Sequence, residues 1–278
     1  MIRLHRLTGK LAVYGVLILV ALVILLPFVM MVLGSFRSHV DIIRRGPLAL
    51  PQTWSLDNVR RVLVTHQFGR YYVNSIILTA PTVLGGLLGG VLAAYPLSFM
   101  VFRFKGWFLL AIVTLGVIIS DEFIMIPLFR LMHRFGMVDT YTSAILPQAA
   151  MSACFATLVI RSFFLGLPRE LIDSGLMDGA SSWQILWRIL VPIARPALVT
   201  AGALTAVWTW NGYILPLILL HSPDKAPLTL GLVLFQGQYT ANIPLIMTGA
   251  SLTALPMIGL YLALQRPIVW GLTQGLGK

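Results

Sequence analysis

Charged residues and cysteine are both scarce in this chain. Of its 278 residues, only 10% are charged and a single one, Cys154, is a cysteine, while 58% are hydrophobic. A soluble domain carries about a quarter charged residues, so the composition excludes an ordinary soluble globular protein. One cysteine excludes an intrachain disulfide framework, and the five histidines are too far apart for metal-ligand spacing. We therefore expect neither a metal site nor a cofactor.

Sequence motifs for catalysis are absent as well. There is no H-E-x-x-H, no pair of catalytic carboxylates and no nucleophile elbow, which argues against a membrane-embedded enzyme. The stretch from Gly271 to Lys278 matches a phosphate-binding loop poorly, because its spacing is one residue too long and no strand precedes it. Any nucleotide hydrolysis must be supplied by another chain.

The net charge of +11 does not indicate nucleic-acid binding. The basic residues are scattered between apolar runs and form no stripe with interleaved aromatic residues, so anionic lipid headgroups and orientation signals explain them better. With the N-terminus inside, 11 Lys and Arg fall on the cytoplasmic side and 9 outside, six of these in the loop 35–71. The remaining loops give 11 to 3, which favours two cytoplasmic termini.

What the chain does contain is a series of long apolar runs. Each is long enough, at about 1.5 Å per residue, to cross a bilayer core of about 30 Å. The six predicted spans are residues 11–34, 72–101, 107–130, 142–166, 193–220 and 245–265. A further apolar piece, 228–235, is too short to cross and is predicted to be a membrane-dipping or packed loop.

Small residues form two ladders on the second span. Gly85, Gly89 and Ala93 share one helical face, and Gly86 and Gly90 share the next with Ala94. Ladders of this kind let two helix backbones approach closely. Packing within the chain's own helix bundle and packing at a subunit interface are both compatible with the pattern.

The most polar part of the chain is residues 167–192, named here the polar segment. It contains three of the nine acidic residues between two strongly apolar spans. Pro168 and Glu170 are typical of a helix start, and Gly179 permits a sharp turn where that helix ends. Ser181 and Gln184 have the spacing of a capping box. The segment is therefore predicted to be two short helices joined by a tight bend, with Pro192 opening the fifth span.

This pattern resembles the cytoplasmic loop of permease subunits of bacterial ABC importers, EAA, three residues, G, nine residues, I-x-L-P. The corresponding residues are Asp173-Ser174-Gly175, Gly179 and Ile189-Leu190-Val191-Pro192. Further matches are Phe163-Phe164, Leu167-Pro168, Asp178-Gly179-Ala180-Ser181, Pro196, Tyr72-Val73-Asn74-Ser75, Ala93-Ala94-Tyr95, Ile126-Pro127-Leu128-Phe129, Trp210-Asn211 and Gly271-Leu272-Thr273. The ordered series covers nearly the whole chain and is similar to the carbohydrate-uptake, maltose-permease-like branch. Asp-Ser-Gly replaces Glu-Ala-Ala, and Val191 replaces Leu.

The resemblance implies an all-α membrane protein with six transmembrane helices and a cytoplasmic coupling-helix loop, which is the type I ABC importer permease fold. The loop would insert into a groove on a cytoplasmic ATPase. The residues it assigns to ATPase coupling are Glu170, Asp173, Ser174, Gly175, Asp178, Gly179, Ala180, Ile189 and Pro192. We expect Leu171, Ile172 and Leu176 to supply an apolar contact face, and Asp173 to meet an arginine of the ATPase.

The resemblance also implies the partners. They are a second, distinct permease subunit in a heterodimer, a dimeric ATPase, an extracytoplasmic solute-binding protein and the lipids of a bacterial inner membrane, without nucleic acid. The solute is expected to be a sugar, with a glycerol-phosphate-type compound as the alternative. An ATP-independent secondary transporter is less favoured, because the spans contain a single acidic pair. The expected parts are 1–71, the core 72–266 and a cytoplasmic tail, 267–278.

Two residue pairs inside the spans are candidates for the solute path. Asp121 and Glu122 interrupt the third span, and an unpaired acid at the bilayer centre costs about 3 kcal/mol on insertion scales. They are therefore expected to face a cavity or a partner, unless they lie near the outer interface of the membrane, and a structural role for Glu122 is a further alternative. Trp210 and Asn211 combine a stacking surface with an amide, which suits sugar recognition. An interhelical hydrogen bond is an equal alternative for Asn211.

Overall fold

The described chain is helical, with no β-strand among the residues that the structure describes. The computed structural model describes residues 2–65, 68–239 and 242–274, and side chains at 13–64, 68–116, 118–233 and 242–265. The contacts divide the chain into two compact units. The first contains Met1–Gly69 and Leu232–Leu255, and the second contains Arg70–Gly231 and Pro256–Lys278.

The helices differ widely in length, and several are broken. In chain order they are α1 (Ile2–Ser35), α2 (His39–Arg45), α3 (Asp57–Arg60, continued by a π-turn at Arg61–Thr65), α4 (Phe68–Phe99), α5 (Lys105–Val113, continued by a π-turn at Thr114–Ile118), α6 (Asp121–Arg134), α7 (Tyr141–Leu165), α8 (Glu170–Met177), α9 (Ser182–Ile193, π-helical at Ile185–Leu190), α10 (Arg195–Asn211), α11 (Ile214–Leu219), α12 (Leu228–Tyr239) and α13 (Ile243–Gln274).

Among the described residues, four single helices are long and apolar enough to cross a membrane, and two bent pairs bring the number to as many as six. The upper number equals that of the six predicted spans, but the second bent pair joins α9 of the polar segment to α10 and so differs from the predicted span 193–220. The first, Val13–Ser35, has no buried residue in its most apolar stretch and exposes apolar side chains around its circumference. A helix that is apolar on all sides needs lipid or protein around it, as a membrane span has.

A buried arginine organises the loop that follows α1. The Arg37 side chain is fully buried and donates from Nε to Asp41 Oδ2 at 2.6 Å and from Nη1 to the Gly46 carbonyl at 2.9 Å. The hydrogen bond from Arg37 lowers the pKa of the Asp41 carboxyl below its ordinary value. One of the six arginines of this loop therefore serves its folding and not its surface charge.

The glycine ladders of α4 pack against α7 within the second unit. A Cβ added to Gly90 would lie 2.6 Å from the Ala156 Cβ, and one added to Gly86 would lie 2.7 Å from the Ser152 Cβ. Both distances are far below van der Waals contact, so the absent side chains let the two backbones approach. Of the two interpretations of the ladders, packing inside the chain's own bundle is the one confirmed.

The third and fifth spans were predicted to be single helices, but each of them is broken. Helices α5 and α6 meet at an angle of 98°, and Ser120 between them is extended (φ −87°, ψ 161°). Helix α10 ends at Asn211, and Gly212 is extended (φ −64°, ψ 130°) before α11. The ring of Pro216 would clash with the carbonyl of Gly212 in a continuous helix, which accounts for the second break. Apolar composition alone conceals both breaks.

Two further elements differ from the predictions. Pro192 lies in the last turn of α9, and the span begins after a 76° bend at Arg195, with Pro196 in its first turn. The short apolar piece is the 12-residue helix α12 and not a loop. The predicted tail 267–278 is helical as far as Gln274, because α13 continues into it. Residues 275–278 lie outside the described residues.

Candidate functional site: the polar segment and the helix breaks

The bend of the polar segment forms as predicted. Helix α8 ends in a Schellman motif, in which Gly179 N–H donates to the Leu176 carbonyl at 3.0 Å and Ala180 N–H donates to the Gly175 carbonyl at 2.9 Å. Gly179 has a φ of +77°, which disfavours any residue with a Cβ. Gly179 therefore sets the direction in which the chain leaves α8.

The capping box that begins α9 is also confirmed. Ser181 Oγ accepts from Gln184 N–H at 3.3 Å, and Gln184 Oε1 accepts from Ser181 N–H at 2.8 Å. The two bonds satisfy backbone donors that have no partner within the helix. The box and the Schellman motif together define both sides of the bend, so the two short helices have fixed directions.

One face of the polar segment is part of the core of the second unit. Its buried residues are Ile172, Ile185, Leu186 and Leu190. They share one apolar cluster with Ala94 and Tyr95 of α4 and with Ile160 and Phe164 of α7. The polar segment therefore shares a packed interior with two membrane spans.

Gly175 belongs to this packed face. A Cβ at Gly175 would lie 3.2 Å from Ile185 Cγ1 and 3.3 Å from Ile189 Cδ1. The Gly of the Asp-Ser-Gly variant therefore contributes to the packing of α8 against α9. Gly175 and Ile189 thus pack within the chain, and their assignment to ATPase coupling stays a prediction.

The opposite face of the polar segment is open. Glu170, Asp173, Ser174, Asp178, Gly179 and Pro192 are exposed, and Ala180 is half-buried. Met177 is 88% exposed, Trp183 61% and Leu176 53%. The three carboxylates form no ion pair with any residue that the structure describes. An apolar surface surrounded by unpaired acids is typical of a protein contact.

The predicted apolar contact face is only partly correct. Leu176 is open, but Ile172 is buried against the chain's own core and Leu171 is half-buried. Met177 and Trp183 take their place at the surface, and Trp183 stacks edge-to-face on Trp187 with ring centroids 5.5 Å apart. A 3.6-residue period orients the side chains of α8 but does not show which face meets the core, so the sequence did not identify these two residues.

Both predicted path pairs adjoin the helix breaks. Asp121 and Glu122 occupy the first turn of α6, directly after the extended Ser120. The sequence had placed them inside a continuous helix. Acidic side chains are favoured at this end of a helix by its dipole. Asp121 is half-buried and Glu122 is exposed.

The Trp210-Asn211 pair ends α10 directly before the extended Gly212. The Trp210 side chain is only 5% exposed, and its ring centroid lies 6.3 Å from that of Tyr72. The ring is therefore buried within this chain, whereas the sequence suggested a stacking surface. Asn211 is exposed and donates from Nδ2 to the Val207 carbonyl of its own helix at 2.9 Å. The hydrogen bond that the structure shows for Asn211 is thus intrahelical.

A polar network that the sequence did not indicate joins the loops at the N-terminal end of α7. Asp139 Oδ1 accepts from the backbone N–H groups of His221 and Ser222, both at 3.0 Å, and Oδ2 accepts from the Ser222 hydroxyl. Lys225 Nζ lies 3.1 Å from the same carboxylate. Asp139 has a φ of 62°, which is unusual outside glycine. The Asp139 side chain therefore connects the loop before α7 to the segment that follows α11.

The network continues onto the N-terminal end of α4. Asn74 is buried and donates from Nδ2 to the carbonyls of Asp224 and Ala226 at 2.8 and 2.9 Å. The Tyr141 hydroxyl donates to Asn74 Oδ1 at 2.8 Å. Helices α4 and α7 and the segment 221–228 are therefore joined at one end of the second unit. The only signal in the sequence was the motif around Asn74, which carried no indication of this role.

We predict that Asp139→Asn lowers the melting temperature at neutral pH. The hydrogen bonds from Ser222 hold the pKa of the Asp139 carboxyl below its usual range. Its stabilising contribution is therefore complete above the unfolded pKa of about 4 and is lost as the pH falls below that value. The difference in melting temperature between wild type and variant should therefore become smaller as the pH is lowered from about 5 to about 3.

Asn tolerates the left-handed backbone of position 139, so this variant changes the charge and not the backbone conformation. Asp224→Asn is the matched control, because the Asp224 carboxylate forms only an exposed ion pair with Arg70. An Asp139→Asn difference that stays constant over this pH range would contradict the prediction.

The chain combines apolar helices of membrane-spanning length with a polar segment packed at one end of the second unit, and comparison with known proteins identifies its family. The model of the family "Binding-protein-dependent transport system inner membrane component" matches residues 86–266. The probable ABC transporter permease protein YurM of Bacillus subtilis is 31% identical over 271 residues, covering 97% of this chain and 89% of that protein. The arabinooligosaccharides transport system permease protein AraQ of Halalkalibacterium halodurans is 33% identical, covering 92% of each chain.

A solved structure is similar over nearly the whole length. It is a bacterial ABC transporter involved in the import of the acidic polysaccharide alginate, with a TM-score of 0.81 and 27% identity, covering 94% of this chain and 96% of that chain. The chain belongs to the family of binding-protein-dependent transport system inner membrane components. It is a permease subunit of an ABC importer, has no catalytic role of its own, and works with a solute-binding protein and an ATPase.

Proposed function

We propose that this permease imports a carbohydrate and that the open face of its polar segment binds the ATPase. The observation that carries the proposal is the two-sided structure of that segment. One side is buried in the cluster shared with α4 and α7, and the other exposes Met177, Leu176 and Trp183 among unpaired acids. The carbohydrate assignment is supported by relatives named for arabinooligosaccharide and diacetylchitobiose uptake.

The proposed coupling follows from these contacts. When the ATPase binds the exposed face of α8 and moves it, Ile172, Ile185 and Leu190 move as well. These side chains are buried among residues of the two spans. Because a packed core shifts as a unit and resists compression, closure of the ATPase would move α4 and α7 together. Asp173 is exposed and unpaired within the described residues, so it remains available for an arginine of the ATPase.

The two helix breaks are proposed to line the solute path. Non-helical backbone at membrane depth is tolerated only where it is buried in protein or lines a water-filled cavity. Glu122 and Asn211 are exposed beside these breaks and offer polar groups to a hydroxylated solute. Asp121 is half-buried beside the first of them. Trp210 would support the second break from within the core and not contact the solute.

The proposed orientation has both termini in the cytoplasm. If the polar segment faces the ATPase, α7 ends on the cytoplasmic side. Two spans follow α7, so the C-terminus returns to the cytoplasmic side. Four spans, α7 included, separate the N-terminus from the end of α7, so the N-terminus lies on that side as well. The 11 to 3 distribution of basic residues outside the loop 35–71 supports the same assignment. A distinct second permease would complete the pathway, and a dimeric ATPase would drive it.

We predict that Met177→Glu releases the ATPase and leaves the permease folded. Met177 is 88% exposed, so a charge there costs the chain little but places a like charge beside Asp173 and Asp178 at the contact. Co-purification of the ATPase with the tagged permease should fall by about 10-fold, as expected for a lost core contact of an interface. Solute uptake should fall with it.

Val101→Glu is the matched control. Val101 is 98% exposed and lies in the loop after α4, on the cytoplasmic side of the proposed topology. It should retain ATPase binding and uptake. Full co-purification with Met177→Glu would overturn the docking assignment. Uptake that persists without ATPase would favour a secondary transporter.

A further inference from the structure

A groove in the second unit combines an apolar wall with positive charge. It lies between α6 and the end of α11, and its volume is about 530 Å³, within the range of small-molecule sites. Its lining residues are Met125, Ile126, Phe129, Arg130, Leu217, Ile218 and His221. The groove does not include any residue of the polar segment or of the two helix breaks.

The basic side chains around this groove have no acidic partner. A hollow that adjoins it along α6 is lined by Arg130, His133 and Arg134. Within the described part of the chain, none of these three forms an ion pair. Asp139, an acidic residue of the following loop, is already occupied by Ser222 and its neighbours. Arg130 is exposed and an arginine stays ionised, so its guanidinium is available to an anion from outside this chain.

The apolar wall suits a sugar ring. Phe129 lines the groove near two imidazoles, with its ring centroid 6.1 Å from that of His133 and 6.3 Å from that of His221. An aromatic ring packs against the carbon face of a sugar, and a guanidinium forms paired hydrogen bonds to a carboxylate or phosphate. These two chemistries meet within the same groove at Phe129 and Arg130.

The groove and the polar segment lie at opposite ends of α7. Arg134 precedes the first residue of α7 by a short loop, and α8 follows its last residue. Helix α7 has 25 residues, so at about 1.5 Å per residue it separates the two by about 37 Å. On the proposed function, which places the polar segment at the ATPase, the groove lies where a solute enters from outside.

We propose that this groove is an anion-recognising subsite for a solute that carries a carboxylate or a phosphate, and that Arg130 binds the anionic group. A uronic-acid oligosaccharide and a glycerol phosphate share this chemistry. Met125 and Leu217 add apolar surface to the same groove. Arg134 of the adjoining hollow adds to the positive potential at the entrance.

The test uses the complete importer in nanodiscs of zwitterionic phosphatidylcholine. Trigalacturonate, sn-glycerol 3-phosphate and maltotriose are titrated while the melting temperature of the complex is followed. Both anionic probes should raise it, trigalacturonate more than maltotriose. Arg130→Met should weaken trigalacturonate binding by about 10-fold or more, as expected for a lost charge-assisted hydrogen bond, and Arg130→Lys should retain part of it. Arg60→Met, an exposed arginine outside the groove, is the matched control.

Three results would overturn the subsite. They are equal stabilisation by maltotriose and trigalacturonate, no loss with Arg130→Met, and an effect of Arg130→Met that appears only in nanodiscs containing phosphatidylglycerol. The last would assign the groove to a lipid headgroup. Failure of the subsite leaves the loss of ATPase binding in Met177→Glu intact. If the proposed function fails, the ATPase should still co-purify with Met177→Glu, whatever the result for Arg130→Met.

Discussion

Gly179→Trp is expected to abolish solute uptake while the permease remains in the membrane. Gly179 has a φ of +77° and nothing lies within 4 Å of a Cβ built there, so an indole would project away from the chain into the space proposed for the ATPase. The left-handed backbone adds about 1–2 kcal/mol of strain for any residue with a Cβ. Uptake into proteoliposomes and co-purification of the ATPase should both fall by more than about 10-fold.

Two variants separate the contact from the strain. Gly179→Ala carries the backbone strain without the bulk and should retain most of the uptake. Gly136→Trp places the same side chain at another glycine of positive φ (+65°), also without neighbours within 4 Å. It should keep ATPase binding, since it lies beyond the opposite end of α7. Normal uptake with Gly179→Trp would show that the bend does not meet a partner.

Gly90→Leu is expected to prevent stable folding of the second unit. A Cβ at this position would lie 2.6 Å from the Ala156 Cβ and 3.1 Å from the backbone of Ala156 and Thr157. The obstacle includes backbone, so α4 and α7 must separate, and the packed cluster around Ala94 and Ile160 must open with them. Overpacking costs about 1–3 kcal/mol, or more where backbones must move. We expect loss of monodisperse protein on size-exclusion chromatography.

Gly85→Ala is the graded control on the same helix. Its Cβ would lie 3.3 Å from the Ala149 Cβ, with no backbone atom among its neighbours within 4 Å. A shift of a few tenths of an ångström accommodates this methyl group, and alanine has the higher helix propensity. The melting temperature of Gly85→Ala should stay close to that of the wild type. Equal behaviour of the two variants would contradict the assignment of Gly90 to the closest approach.

Local motifs in the polar segment were predictable because their partners are near in sequence. The capping box at Ser181 and the glycine turn at Gly179 each depend on residues within five positions. The choice of exposed side chains was not predictable in the same way. Ile172 and Met177 both belong to α8, but only Ile172 meets the core, and that depends on where α9 and α7 lie.

The path residues show the same division. Sequence reasoning selected Asp121, Glu122, Trp210 and Asn211 because they are unusual in an apolar run. The structure places each pair beside a helix break, which composition does not reveal. The structure buries the Trp210 ring beside Tyr72, and the sequence did not indicate this burial because the contact joins distant parts of the chain.

The sequence by itself determined the class of this protein. Apolar runs of bilayer length and scarce charge predict a six-span membrane protein with a bent polar segment, because each depends on hydropathy and on neighbours in the chain. The permease assignment came from the resemblance of that segment and its flanking motifs to a known family. Only the tertiary structure decided that the glycine ladders join α4 to α7, which face of the polar segment is open, and that Asp139 and Arg130 have such different surroundings. These features depend on contacts between residues far apart in sequence, and a single sequence does not specify those contacts.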